Sequence, residues 1–163
     1  MNNGIDFYID TEFDNINDFD CGFNIFNDYL KKRIPKDNAV FHYIINIENN
    51  DLIAYFSLIS SAVLLGTFDN FNSVPAIELK MFALDKKYQK QNLSVRIVKD
   101  IAVLMREYSM EYVGADILIL YSVPEDKVVK MYEKCGFQLL PKEYSMYKSW
   151  FSDGCIAMFK PSR

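Results

Sequence analysis

The chain has 163 residues, of which 50% are apolar and 25% charged, with a formal net charge of −4. That length suits one domain with a full core, read here as residues 1–163. There is no run of about 18 apolar residues, and the opening M-N-N-G-I-D is neither basic nor apolar, so no membrane span and no signal peptide are expected. Cys21, Cys135 and Cys155 are odd in number and share no close spacing, and His42 is the lone histidine. This argues against a disulfide framework and a zinc site, gives little support to a histidine metal site or a Ser-His-Asp triad, and points to no metal and a reducing, cytoplasmic setting.

The charge is uneven along the chain. Residues 1–79 hold 12 acidic and 4 basic side chains, net −8, whereas residues 80–163 hold 10 acidic and 14 basic, net +4. The basic excess gathers at Lys80, Lys86, Lys87, Lys90, Arg96 and Lys99, a composition suited to a polyphosphate ligand or a nucleic-acid backbone.

In chain order, Ile5 to Ile9 reads as a short edge strand, followed by an acidic segment through Asp20. Phe23, Phe26, Leu30 and Ile34 recur near helical spacing behind Asp20, a candidate N-cap, and Pro35 closes that helix. Ala39 to Ile47 is a strand, Glu48 to Asp51 a turn, and Leu52 to Leu65 a long apolar strand. This hairpin's second arm has the composition of a central strand covered on both faces. His42 is read as a packing or surface residue. Gly66 to Ser73 is a polar loop carrying two phenylalanines. P-A-I-E-L-K-M-F-A-L, Pro75 to Leu84, is a strand that begins at a proline, which a strand tolerates at its first residue.

D-K-K-Y-Q-K-Q-N-L-S follows, and from Val95 to Tyr112 the apolar Ile97, Ile101, Leu104 and Tyr108 keep helical spacing. Arg96, Lys99, Asp100, Arg106 and Glu107 fall on the other side. A helix that opens at a lysine-flanked loop just after a strand offers free N–H groups and a positive dipole end to an anion such as a pyrophosphate. The remainder runs strand (Ala115 to Val123), helix (Pro124 to Lys134), strand (Phe137 to Leu140), a long connection with Tyr144, Tyr147 and Trp150, and a last strand from Cys155 to Lys160. No internal repeat, low-complexity tract or linker interrupts it.

Three stretches carry a resemblance. Q-K-Q-N-L-S, Gln89 to Ser94, resembles the acetyl-CoA-binding signature of the GNAT superfamily of N-acetyltransferases: Gln or Arg, two variable residues, Gly, one variable residue, then Gly or Ala. Asn92 and Ser94 stand at the two small positions. Asn tolerates a left-handed backbone, and Ser at a helix start can cap an N–H while staying small. M-Y-E-K-C-G-F, Met131 to Phe137, resembles the family's Tyr, three variable residues and Gly-Phe at the end of its fourth helix. F-D-C-G-F-N-I-F-N-D-Y-L-K-K, Phe19 to Lys32, looks like the opening of a GNAT subgroup that includes toxins of toxin-antitoxin pairs, which acetylate aminoacyl-tRNA; Phe23 replaces the usual Asn. The element order β-α-β-β-β-α-β-α-β-β matches the family. It implies an α/β (α+β) GNAT fold, a mixed central sheet of six to seven strands flanked by helices and splayed between the fourth and fifth strands.

The resemblance implies acetyl-CoA as co-substrate. Its pantetheine arm would pair with backbone at Phe82, Ala83 and Leu84, and its pyrophosphate would take N–H groups from Lys90, Gln91, Asn92, Leu93, Ser94 and Val95. A neutral primary amine would then attack the thioester directly. Tyr132, whose phenol is protonated at neutral pH, would be the acid for the departing thiolate. Glu78, the one carboxylate of its strand, is the candidate base, and backbone N–H groups of residues 82–84 would hold the oxyanion. Cys135 sits beside a helix-ending glycine with no evident base, which argues against a covalent route. The acceptor stays open between aminoacyl-tRNA, which the acidic balance disfavours, and a small amine, amino-acid derivative or protein amino group. A homodimer is compatible with this reading. Two other classes stand beside it: a GNAT-like domain with lost catalysis that binds CoA or a protein partner, favoured by the altered glycine positions, and a nucleotide-binding α/β domain, for which the glycine-rich loop is lacking.

Overall fold

The computed structural model describes residues 4–34, 36–67, 70–146 and 154–163. Its backbone groups into two compact units, Met1–Leu58 with Lys80–Leu93 and Ile59–Leu79 with Ser94–Arg163.

In the first unit, β1 (Phe7–Asp10) lies antiparallel to β2 (Val40–Asn46), with Phe7 opposite Asn46 and Asp10 opposite Tyr43. Strand β2 lies antiparallel to the first half of β3 (Leu52–Thr67), from Val40 opposite Leu58 to Ile45 opposite Leu52. The expected turn forms at Glu48 to Asp51, closed by the Asp51 carbonyl accepting from Asn46 N–H at 2.9 Å, with Asn50 left-handed at φ 59°. Every residue from Leu52 to Leu58 is buried, as the unbroken apolar run requires. Helix α1 (Asn24–Lys32) turns Tyr29 and Leu30 inward and places Lys31 and Lys32 in its last turn, where they complement the helix dipole. Each of the two buried side chains contributes about 1.5–3 kcal/mol by leaving water. Tyr29, Phe41 and Tyr55 stack, and the two tyrosine hydroxyls are satisfied: Tyr29 meets Ser57 Oγ at 3.0 Å and Tyr55 donates to the Phe26 carbonyl at 2.7 Å. The helix starts later than its apolar spacing suggests. Its N-cap is Phe23, 62% exposed and without a side-chain cap, while the Asp20 carboxylate turns to other partners. His42 is buried and stacks on Phe56 at 4.6 Å, a packing residue as expected.

In the second unit, the first half of β4 (Asn70–Leu84) runs parallel to β5 (Ile117–Ser122), with Ala76 opposite Ile117 and Leu79 opposite Leu120. Strand β5 lies antiparallel to β8 (Ile156–Pro161), which in turn pairs with the two-residue β6 (Gln138–Leu139). Helix α2 (Leu93–Tyr108) buries Ile97, Val98, Ile101, Ala102 and Met105, leaves the predicted charged residues outside, and ends in a π-helical turn at Ser109–Val113. Helix α3 (Asp126–Lys134) buries Tyr132.

The hydrogen-bonded strand order is β1-β2-β3-β4-β5-β8-β6, with β7 (Tyr144–Met146) paired onto β3 outside that path. Two expectations need correction. Pro75 does not open its strand: β4 begins at Asn70 and β3 runs to Thr67, so most of the expected loop at 66–73 is strand. The connection after β6 carries β7, a strand that its three residues did not announce; Tyr147 and Trp150 lie outside the described residues.

Candidate active site

The ladder between β4 and β5 ends at Leu79 opposite Leu120, while β4 continues to Leu84. Phe82 and Leu84 are half-buried and Ala83 buried, and the strand is followed by Asp85, whose N–H donates to the Ile53 carbonyl at 2.9 Å.

Beyond it the chain makes a 3₁₀ turn, Lys86–Tyr88, capped by Asp85, whose Oδ1 accepts from Lys87 N–H at 2.9 Å. Gln89, first residue of the loop signature, folds its amide back to donate to the Leu84 carbonyl at 2.9 Å and the Cys21 carbonyl at 3.0 Å. Gln91 donates to the Lys87 carbonyl at 2.8 Å. Lys90 and Asn92 are both left-handed, at φ 64° and 57°. Asn92 thus adopts the left-handed backbone that asparagine tolerates, while for Lys90 it is an unforeseen strained position. Lys90, Gln91 and Asn92 are exposed and Leu93 is buried. Within the second unit, Ser94 and Val95 sit half-buried in the first turn of α2, so Ser94 is a helical residue and not its cap.

The M-Y-E-K-C-G-F stretch has a local physical cause. Phe137 N–H donates to the Tyr132 carbonyl at 3.1 Å and Gly136 N–H to the Glu133 carbonyl at 2.9 Å, with Gly136 at φ 90°. This is the Schellman ending of a helix, and the Phe137 ring meets Tyr132 edge-on at 6.1 Å, the apolar contact that accompanies it. Lys160 Nζ donates to the Cys135 carbonyl at 3.0 Å, and the Cys135 thiol donates to the Val95 carbonyl at 3.6 Å, tying the end of α3 to the start of α2.

The helix ending uses the ring and backbone of Tyr132 but not its hydroxyl. The residue is 8% exposed, and its hydroxyl has no hydrogen-bond partner among the described residues. Burial, and then the neighbouring Cys135, raise its pKa.

Glu78 is half-buried on β4, in register with Ile119 on β5. The alternation of the strand places Tyr121 on the same face. Burial raises the Tyr121 pKa, with the charges of Glu78 and Cys155 adding to the effect. Sequence reasoning missed Tyr121; the signal available was its period-two spacing from the residue opposite Glu78. The basic cluster is partly neutralised inside the first unit: Lys80 pairs with Asp37 at 3.1 Å, Lys86 with Asp20 at 2.6 Å and Lys87 with Asp51 at 3.8 Å. No group of metal-binding side chains occurs among the described residues.

A mixed sheet with a parallel β4–β5 pair whose register ends at Leu79, in a chain that also carries α1, α2 and α3, is the GNAT fold. The chain is similar to the toxin AtaT, solved as a Tyr-to-Phe variant bound to the C-terminus of the antitoxin AtaR and acetyl-CoA. That match has 17% identity, 96% of this chain, 94% of that one and a TM-score of 0.71. AtaT complexed with acetyl-methionyl-tRNAfMet matches with 18% identity over 96% and 95% of the two chains, TM-score 0.69. The KacTA–DNA complex matches with 21% identity over 96% and 94%, TM-score 0.69. At such identities the likeness is one of fold. No protein-family model and no curated protein matches the chain.

Proposed function

We propose that the chain is an N-acetyltransferase that moves the acetyl group of acetyl-CoA to a primary amine by direct attack. The observation that carries this reading is Tyr132: a buried ring locked by the helix ending, with a hydroxyl that no described residue engages. The likeness in fold to AtaT, solved with acetyl-CoA, supports it. The end of β4 and the loop beyond it fit such a co-substrate, since β4 outruns its pairing with β5 and the loop holds left-handed residues that turn main-chain N–H groups toward an anion.

The roles are as follows. Backbone of Phe82, Ala83 and Leu84 pairs with the extended arm and its N–H groups hold the oxyanion. The main chain of Lys90 to Val95 receives the pyrophosphate at the start of α2. The amine nitrogen forms its bond to the acetyl carbon as the carbon–sulfur bond breaks; Glu78 takes the amine proton and Tyr132 gives its phenolic proton to the thiolate. Raised by burial, the phenol stays protonated at neutral pH and can donate. The acceptor we place first is the α-amine of an aminoacyl-tRNA, supported by the AtaT complex with acetyl-methionyl-tRNAfMet. With Asn92 left-handed, the loop keeps a conformation that favours glycine, so its altered small positions give little ground for a non-catalytic module.

The test is calorimetric titration with acetyl-CoA, followed by an acetylation assay across aminoacyl-tRNA and small amines. Micromolar binding, about −8 kcal/mol, with product on one acceptor class is the expected result. Absence of binding would leave the non-catalytic module as the reading to pursue.

A further inference from the structure

We propose that the Asp20–Gly22 turn is a brace that holds the candidate cofactor loop in its binding conformation, with Asp20 as the positioning residue. It rests on the proposed function in taking that loop as the place where acetyl-CoA binds. The contacts run both ways between segments far apart in sequence and all lie within the first unit. Asp20 N–H donates to Asp85 Oδ2 at 2.8 Å, and Lys86 N–H donates back to the Asp20 carbonyl at 2.9 Å. The Lys86 ammonium meets Asp20 Oδ2 at 2.6 Å, while Asp20 Oδ1 accepts from Gly22 N–H and Asn27 Nδ2, each at 2.9 Å. Gln89 donates to the Cys21 carbonyl, so the turn also grips the first residue of the loop signature.

Gly22 is fitted to this contact. It sits at φ 94°, and a Cβ there would lie 3.2 Å from Lys86 Cε. The Lys86 ammonium, with Asn27 and the Gly22 N–H, also holds the Asp20 carboxyl below the usual carboxylate range. An exposed ion pair alone would add little. Main-chain bonds in both directions make this one different: they fix the backbone on which Lys90 and Asn92 adopt left-handed angles, and such conformations persist only where the surroundings over-determine them. The F-D-C-G motif thereby acquires a role distinct from core packing, that of shaping the loop from outside it.

Hydrogen exchange of the amides of residues 86–92 in the ligand-free protein, joined to acetyl-CoA titration, tests the brace in Asp20→Asn and Lys86→Met. Both variants should exchange these amides about tenfold faster and bind acetyl-CoA about tenfold more weakly, the loss of one charge-assisted hydrogen bond. The exchange of β5 and β8 should not change, which separates a loosened loop from a general loss of folding. At saturating acetyl-CoA, kcat should stay within about twofold of wild type, and Lys86→Arg should restore affinity. Unchanged exchange at 86–92, or faster exchange with wild-type affinity, overturns the brace. Wild-type protein that binds no acetyl-CoA overturns the proposed function instead, and the proposed link between brace and cofactor falls with it.

Discussion

Tyr132 joins two demands in one side chain. Its ring and carbonyl finish α3 through Gly136 and Phe137, and its hydroxyl is spare among the described residues. Tyr132→Phe should therefore leave stability within about 0.5 kcal/mol and acetyl-CoA affinity near wild type, yet lower kcat by about 10²-fold or more. Equal turnover in the two proteins would end the acid role. The pH dependence has a definite sign. Burial raises the phenol's folded-state pKa above its unfolded value, about 10. The native state then holds the proton more tightly, so this contribution to stability is complete below about pH 10 and is lost as pH climbs past it. Tyr29, Tyr55 and Tyr121 shift in the same direction, burial being the first cause in each. Urea midpoints should accordingly fall above about pH 10, less steeply in Tyr132→Phe, and the kcat profile should show no loss assignable to Tyr132 below that pH. Gly136 makes a second case. Alanine there would keep a left-handed φ and put Cβ 3.0 Å from Lys160 Nζ. The lysine end can move, but the backbone cost of about 1–2 kcal/mol cannot be avoided, and urea denaturation should report it.

Among the elements, the loop between β4 and α2 shows how strain and binding separate. Lys90 at φ 64° carries a left-handed cost that asparagine at 92 largely escapes. Lys90→Gly should then stabilise the protein by about 0.5–1 kcal/mol, whereas Asn92→Gly should gain less, because glycine adds unfolded-state entropy without relieving as much strain. Urea titration of both variants checks the ordering; a larger gain at 92 would contradict it. Much of this region was legible in the sequence: the periodicity from Ile97 onward located α2, the Leu52 run located a covered strand, and the Gly-Phe pair located the end of α3. What escaped notice was set by tertiary pairing. Asn70 to Val74 have the composition of a loop and become strand in the β3–β4 arm of the sheet, so Pro75 lies inside a strand; its carbonyl accepts from Asp116 N–H at 3.0 Å. Strand β7 exists because Tyr144 to Met146 find Val63 to Leu65, a pairing no local pattern encodes. Asp20 read as a helix cap because acid-then-apolar spacing is the usual cap signal, and partners at Asp85 and Lys86 outcompeted that use.

At the scale of the whole molecule, charge sets how strongly a polynucleotide acceptor would be held. The net −8 of residues 1–79 against the net +4 of residues 80–163 looked like a phosphate-binding half set beside an acidic one. Part of that excess is consumed internally, since Lys80, Lys86 and Lys87 pair with Asp37, Asp20 and Asp51. Lys90, Lys99, Lys130 and Lys134 form no ion pair with a carboxylate among the described residues. If roughly three of them meet RNA phosphates, binding should fall with salt at a log–log slope of about −2 to −3. Raising salt from about 50 to 200 mM should then raise the KM for aminoacyl-tRNA by about 15- to 60-fold, a smaller loss than that of strongly basic nucleic-acid binders. A small neutral-tailed amine would show almost none of this dependence, because it displaces no counterions. Steady-state kinetics at the two salt concentrations, with acetyl-CoA saturating at both, separates the classes. A tRNA KM that does not move with salt would show that the polynucleotide is not gripped through its backbone and would turn the search for the acceptor to small amines.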